Sequence, residues 1–286
     1  MKYVTGLFLA FTAYAALIAY AEPPTLIDGE PAPVGEWPAS VYASMSGARC
    51  SATVVGPRTL AIAAHCVSDG GSASFTVGAN RYSSRCTHSP DYRNNSTADY
   101  ALCVVDKDVL GIEYETMLMD ASQIKVGDIV RLSGYGCTQP GGGGGNDGIF
   151  RIGTSKVTRI PSGNSNDVVT QGNSGALCFG DSGGGAFLEV GKDRYLFAVN
   201  SRGDIETTSY LSAWFTAQAK KFIESWSKNG QKICGVHADA TGCRGGKQRE
   251  PVDFELKNSG TPLSVHVKPG PIPAEELKKA LIDVGF

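Results

Sequence analysis

The chain has 286 residues, is 42% hydrophobic and only 19% charged, and contains 36 glycines, a balance that fits a turn-rich β protein and argues against a helical bundle. Its formal charge of -2 supplies no basic field for a phosphate backbone, which excludes nucleic acid as an expected partner.

In chain order, Met1-Lys2, the apolar run Leu7 to Ile18 and the small-x-small Ala19-Tyr20-Ala21 predict a secretory signal peptide over residues 1–21. An uncleaved membrane anchor is the alternative, disfavoured by Thr12 and Tyr14 inside the run. No later stretch is apolar for long enough to span a bilayer, so no membrane association is expected after signal removal. Eight cysteines, Cys50, Cys66, Cys86, Cys103, Cys137, Cys178, Cys234 and Cys243, then read as disulfides of a secreted protein, extracellular or periplasmic. No C-x-x-C pair occurs; His237 between Cys234 and Cys243 leaves a zinc site as the weaker alternative, and no metal or cofactor is expected.

Short apolar or alternating runs follow, at Val41–Met45, Ala52–Val55, Leu60–Ala64, Phe75–Gly78, Tyr100–Val105, Ile129–Tyr135, Ile152–Ile160, Ala186–Val190 and Tyr195–Val199. Many short strands with turn signals between them predict an all-β sandwich or barrel. Phe215, Ala219, Phe222, Ile223 and Trp226 share one face of a predicted helix. After Trp226 the character changes, and residues 227–286 read as a C-terminal extension without a catalytic pattern. Gly141 to Gly145 lacks the Gly-Lys-Ser/Thr of a phosphate loop and reads as a mobile surface loop.

Three stretches carry the chemistry. "LAIAAHC" ends a predicted strand and presents His65, "STADYALCVV" places Asp99 at the mouth of another, and "GDSGG" presents Ser182. A serine hydroxyl is a weak nucleophile until an imidazole takes its proton and a carboxylate orients the imidazole. "GDSGG" also satisfies the G-x-S-x-G of α/β-hydrolases, but there the acid and histidine follow the serine, and strand–helix alternation is absent here.

With these motifs the chain resembles the trypsin-like serine endopeptidases from about Leu26 to Trp226. "LIDGEPAPVGEWPASV" is similar to the family's mature N-terminus, and "ARCSATVVGPRTLAIAAHC" carries a cysteine pair around the histidine strand. "GYGCT" and its glycine loop are closer to bacterial secreted members. The resemblance implies two six-stranded antiparallel β-barrels with a C-terminal helix. It also implies Ser182 as nucleophile, His65 as general base, Asp99 as orienting acid, and the N–H groups of Gly180 and Ser182 as oxyanion hole.

In that family a new α-amino group pairs with the aspartate before the nucleophile, which maps to Leu26 and Asp181. Residues 22–25 then form a short pro-segment, and 26–226 the peptidase domain. No Lys or Arg precedes Leu26, so trimming would need another exported peptidase as partner. The resemblance implies Cys50–Cys66; the family's usual partner for Cys178 is missing, so Cys137–Cys178 is expected, with Cys86–Cys103 joining adjacent strands and Cys234–Cys243 closing a local loop.

The pocket floor maps to Ala176, whose neutral side chain favours cleavage after small or apolar residues of protein or peptide substrates over Lys/Arg. Arg202 is placed near the pocket wall, where it would narrow the pocket or attract an acidic side chain; pointing into solvent is the plainer reading. A monomer is expected. The rival from another class is a catalytically silent trypsin-fold binding or inhibitor protein, a reading that a lost triad residue would favour; all three are present.

Overall fold

The computed structural model describes residues 26–245. The expected signal peptide, the pro-segment and the part of the extension beyond residue 245 lie outside the described residues. A short strand β1 (Glu30–Pro31) precedes six strands: β2 (Ser40–Met45), β3 (Ala48–Gly56), β4 (Thr59–Ile62), β5 (Ser72–Val77), β6 (Asn80–His88) and β7 (Ala101–Val105). They close into a barrel in the order β2-β3-β4-β7-β6-β5.

A second set, β8 (Ile129–Gly134), β9 (Arg151–Arg159), β10 (Asp167–Ser174), β11 (Gly185–Val190), β12 (Asp193–Gly203) and β13 (Thr208–Ala213), runs in the order β9-β10-β13-β12-β11-β8 and closes through the β8–β9 pairing. Helix α1 (Ala217–Ser227) follows, its N-terminus capped by the Thr216 side chain, which accepts from the Ala219 N–H. The two six-stranded antiparallel barrels and the C-terminal helix match the expected architecture.

Alternation of side chains builds each core. In the first barrel Val41, Ala43, Val54, Leu60 and Ile62 point inward, and in the second Leu132, Val157, Val168, Phe197 and Leu211 do so, each at most 3% exposed. Each large aliphatic side chain contributes about 1.5–3 kcal/mol on burial. On α1, Ala219, Phe222, Ile223 and Trp226 are buried; Phe215 is buried too but precedes the helix.

All four disulfides form as expected: Cys50–Cys66, Cys86–Cys103, Cys137–Cys178 and Cys234–Cys243. With both sulfurs bonded to each other, Cys234 and Cys243 hold no thiolate for zinc, and His237 Nδ1 instead accepts from the Ile233 N–H at 3.0 Å. Three elements differ from the sequence reading. The strand through Leu60 stops at Ile62, and His65 sits in a 3₁₀ turn over Ala64–Cys66. The glycine loop folds back on the body, with Gly141 N–H donating to Ile205 O at 3.1 Å. Nor does the chain leave the body after Trp226: Cys234 N–H donates to Val55 O at 2.8 Å and Arg244 N–H to Tyr114 O at 2.8 Å.

Candidate active site

Barrel register brings the first two site residues together. Strand β4 ends at Ile62, which pairs with Ala101, the first residue of β7. The turn after β4 and the segment before β7 therefore meet at one end of the barrel, and they carry His65 and Asp99. Asp99 grips the turn twice: Oδ1 accepts from the His65 backbone N–H at 2.8 Å, and Oδ2 lies 2.6 Å from His65 Nδ1. A third bond comes from the second barrel, where Ser201 Oγ on β12 donates to Asp99 Oδ2 at 2.6 Å.

Burial alone would push the Asp99 carboxyl up. The hydrogen bonds and charge of His65, with the Ser201 hydroxyl, outweigh it and hold Asp99 below the ordinary value. The imidazole, bound at Nδ1, leaves Nε2 toward the open side, 3.8 Å from Cys66 Sγ. Cys50, His65 and Cys66 cluster closely, but both sulfurs belong to the Cys50–Cys66 disulfide and offer no thiolate.

Ser182 comes from the turn before β11. Its carbonyl accepts from the Ser51 N–H at 2.9 Å, which clips it to β3 of the first barrel, and Gly183 N–H donates to Asn200 O at 2.9 Å. Gly183 lies against Ile62 and Ala63, the residues leading into the His65 turn. Among the described residues no hydrogen bond joins Ser182 Oγ to His65 Nε2; such bonds are often long in unliganded sites and tighten when substrate binds. Gly180 has φ 102°, a left-handed conformation that only glycine adopts without strain, and its carbonyl accepts from Ser51 Oγ at 2.9 Å.

Asp181 is turned into the body. Its Oδ1 accepts from Gly136 N–H at 2.9 Å and its Oδ2 from Cys178 N–H at 2.8 Å. A side chain at Gly136 would put its Cβ 2.7 Å from the Asp181 carboxyl carbon, which requires glycine there. The carboxyl is fully buried and no ion pair reaches it among the described residues; burial pushes it up to about 7 against the pull of the two N–H groups. Leu26 is 0% exposed, and Ile27 O accepts from Ala176 N–H at 3.3 Å.

Ala176 packs with Ile27, Cys137 and Cys178, and the partly buried Ile205 covers them. Arg202 keeps much of its side chain in solvent, 40% exposed, in keeping with the plainer reading, while its guanidinium pairs with Asp167 and lies 4.8 Å from the Tyr210 ring centre. Sequence reading passed over three residues of this region. Ser201 adjoins Arg202 in the "AVNSRGD" stretch but has no signal of its own. Ser51 follows Cys50, and its hydroxyl serves both Gly180 O and the Tyr135 N–H. Phe179, 62% exposed and placed against Gly142 of the glycine loop, stands between Cys178 and Gly180 in the quoted serine motif, where it was legible as an apolar rim.

Two closed antiparallel barrels with a buried acid bound to a histidine where their ends meet define the double-barrel, chymotrypsin-fold class. Within it the chain belongs to the trypsin family, whose model matches residues 26–223. No curated protein matches the chain. The family as a whole hydrolyses peptide bonds, although some members are inactive. Four disulfides and a trypsin domain are typical of extracellular proteins. No described helix is long and apolar enough to cross a membrane.

Proposed function

We propose that the chain is a secreted serine endopeptidase. Ser182 Oγ attacks the scissile carbonyl as His65 takes the hydroxyl proton; His65 returns that proton to the departing amine, leaving an acyl-enzyme. Water then repeats the sequence, with His65 again accepting a proton, and frees the acid product and Ser182. Asp99 fixes the imidazole orientation and favours its protonated form. The Gly180 and Ser182 N–H groups receive the oxyanion.

The observation that carries this reading is the pair of hydrogen bonds that Asp99 makes with the His65 ring and backbone, beside the clipped Ser182 turn. The neutral surroundings of Ala176 support cleavage after small or apolar side chains. The buried Asp181 carboxyl, with two N–H donors and no ion pair among the described residues, supports trimming before Leu26, whose new α-amino group would supply the counter-charge.

A fluorophosphonate followed by intact mass measurement tests the whole reading. The expected result is one adduct on a chain beginning at Leu26, absent from Ser182→Ala. An unlabelled chain beginning at Leu26 would reverse it in favour of a silent binding protein; an active chain still beginning at Glu22 would remove the role given to Leu26.

A further inference from the structure

On β12, the residue that binds Asp99 is itself held. Ser201 Oγ donates to Asp99 Oδ2 at 2.6 Å, and Arg202 Nη1 donates to Ser201 Oγ at 3.3 Å. The same Nη1 lies 3.4 Å from Asp167 Oδ1, and Nη2 donates to Asp167 Oδ2, so the guanidinium fork closes on one carboxylate. Tyr210 lies beside the guanidinium. An unbroken path thus runs from Asp167 through Arg202 and Ser201 to Asp99 and His65, from β10 in the second barrel to the His65 turn in the first.

The charges along this path conflict unless they are taken together. A guanidinium near Asp99 alone would oppose a developing imidazolium, because it weakens the field the carboxylate supplies. Asp167, 2% exposed, has its carboxyl pushed up by burial and drawn back by Arg202. Paired with that anion, Arg202 can use its fixed donor geometry without leaving a net positive charge at the site.

We propose that Arg202 and Asp167 form a positioning pair for the catalytic carboxylate. Arg202 holds Ser201 in the orientation that donates to Asp99, while Asp167 orients Arg202 and cancels its charge. This inference rests on the peptidase reading above, and it assigns Arg202 to the support of the catalytic acid instead of to the specificity pocket. The other titratable and charged groups facing this region are Tyr92, in the segment before β7, and Arg159 at the end of β9, which acts on Asp167. The Cys50–Cys66 disulfide beside His65 is neutral.

The test is the pH dependence of fluorophosphonate inactivation for the processed wild type, Asp167→Asn, and the double variant Asp167→Asn/Arg202→Gln. In Asp167→Asn the guanidinium charge is uncompensated, and the pH of half-maximal inactivation falls by about half a unit. In the double variant it returns to the wild-type position, while the rate stays several-fold lower because Ser201 has lost its anchor. An unmoved midpoint in the single variant, or a double variant no closer to wild type, overturns the inference and leaves the peptidase reading intact. A wild type that takes no label overturns both. If Asp167→Asn does not fold, Arg202→Gln serves: several-fold slower inactivation at unchanged Tm supports the pairing, and a wild-type rate refutes it.

Discussion

Asp181 is a buried acid whose carboxylate accepts from two backbone N–H groups and makes no ion pair among the described residues, and its titration bears on stability. Its carboxyl stands at about 7 in the folded chain against an ordinary 3.8. Between those values the folded state binds the proton that the unfolded state has released, so stability is full below about 4 and declines as pH rises toward 7. The expected outcome is that untrimmed chain loses more Tm from pH 5 to pH 8 than Asp181→Asn does. In chain beginning at Leu26 an α-amino group favours the ionised form, and this excess loss disappears. Thermal melts of the three proteins across that range decide it; equal slopes would mean that Asp181 is not the titrating group. The aspartate was legible from the "GDSGG" motif, but its lack of an ion pair among the described residues was not, because that depends on which backbone groups the second barrel delivers to it.

The hairpin turn between β12 and β13 governs the space above Ala176. Asp204 Oδ1 accepts from the N–H groups of Glu206, Thr207 and Thr208 at 2.8 to 2.9 Å. Burial alone would raise its carboxyl, but those bonds carry it down to about 2. The closed turn forces Ile205 to φ 61°, where a β-branched residue is strained, and sets its side chain on Ala176 and the Cys137–Cys178 pair. Replacing Ile205 with glycine should raise the preference for leucine over alanine before the scissile bond by about tenfold. Relief of backbone strain should keep Tm close to wild type. Paired peptide substrates measure the ratio; an unchanged ratio would place the pocket elsewhere.

Legibility of the strands followed the chemistry of their inward positions. Those with aliphatic interiors, such as β4 and β8, stood out as apolar runs. Strands β6, β10 and β13 did not, because they turn Ser84, Cys86, Thr170 and Ser209 inward, which reads as loop in any hydrophobic scan. His65, Asp99 and Ser182 were legible as candidates from short motifs, and the structure shows the His65–Asp99 bond among them, whereas Ser201, Ser51 and Asp167 reach this region only through barrel closure.

At the scale of the molecule, residues 228–245 belong to the body. Thr59 Oγ1 on β4 donates to Lys232 O at 2.9 Å, and Met117 N–H donates to Cys234 O at 2.9 Å. Arg244 Nη2 reaches Glu36 O at 3.1 Å, as does Arg194 Nη2 at 2.8 Å. Arg194, on β12, also forks onto the fully buried Glu115 and lies 3.5 Å from the Trp37 ring centre. Removing Cys234–Cys243 by a double serine substitution frees a short loop, and should lower Tm by roughly 5 to 10 °C. An unchanged melt would show that hydrogen bonds alone secure this segment.

That fastening has a consequence in time. The first barrel is translated early, yet β3 accepts a hydrogen bond from the Cys234 N–H and β4 donates one to Lys232 O, near the end of the described chain. Sequence-distant closure of this kind makes folding slow and late. If the chain is the secreted peptidase proposed above, its His65 turn sits on an unfinished barrel until residue 234 has crossed the membrane, a delay that would keep hydrolytic chemistry away from the compartment where it was made.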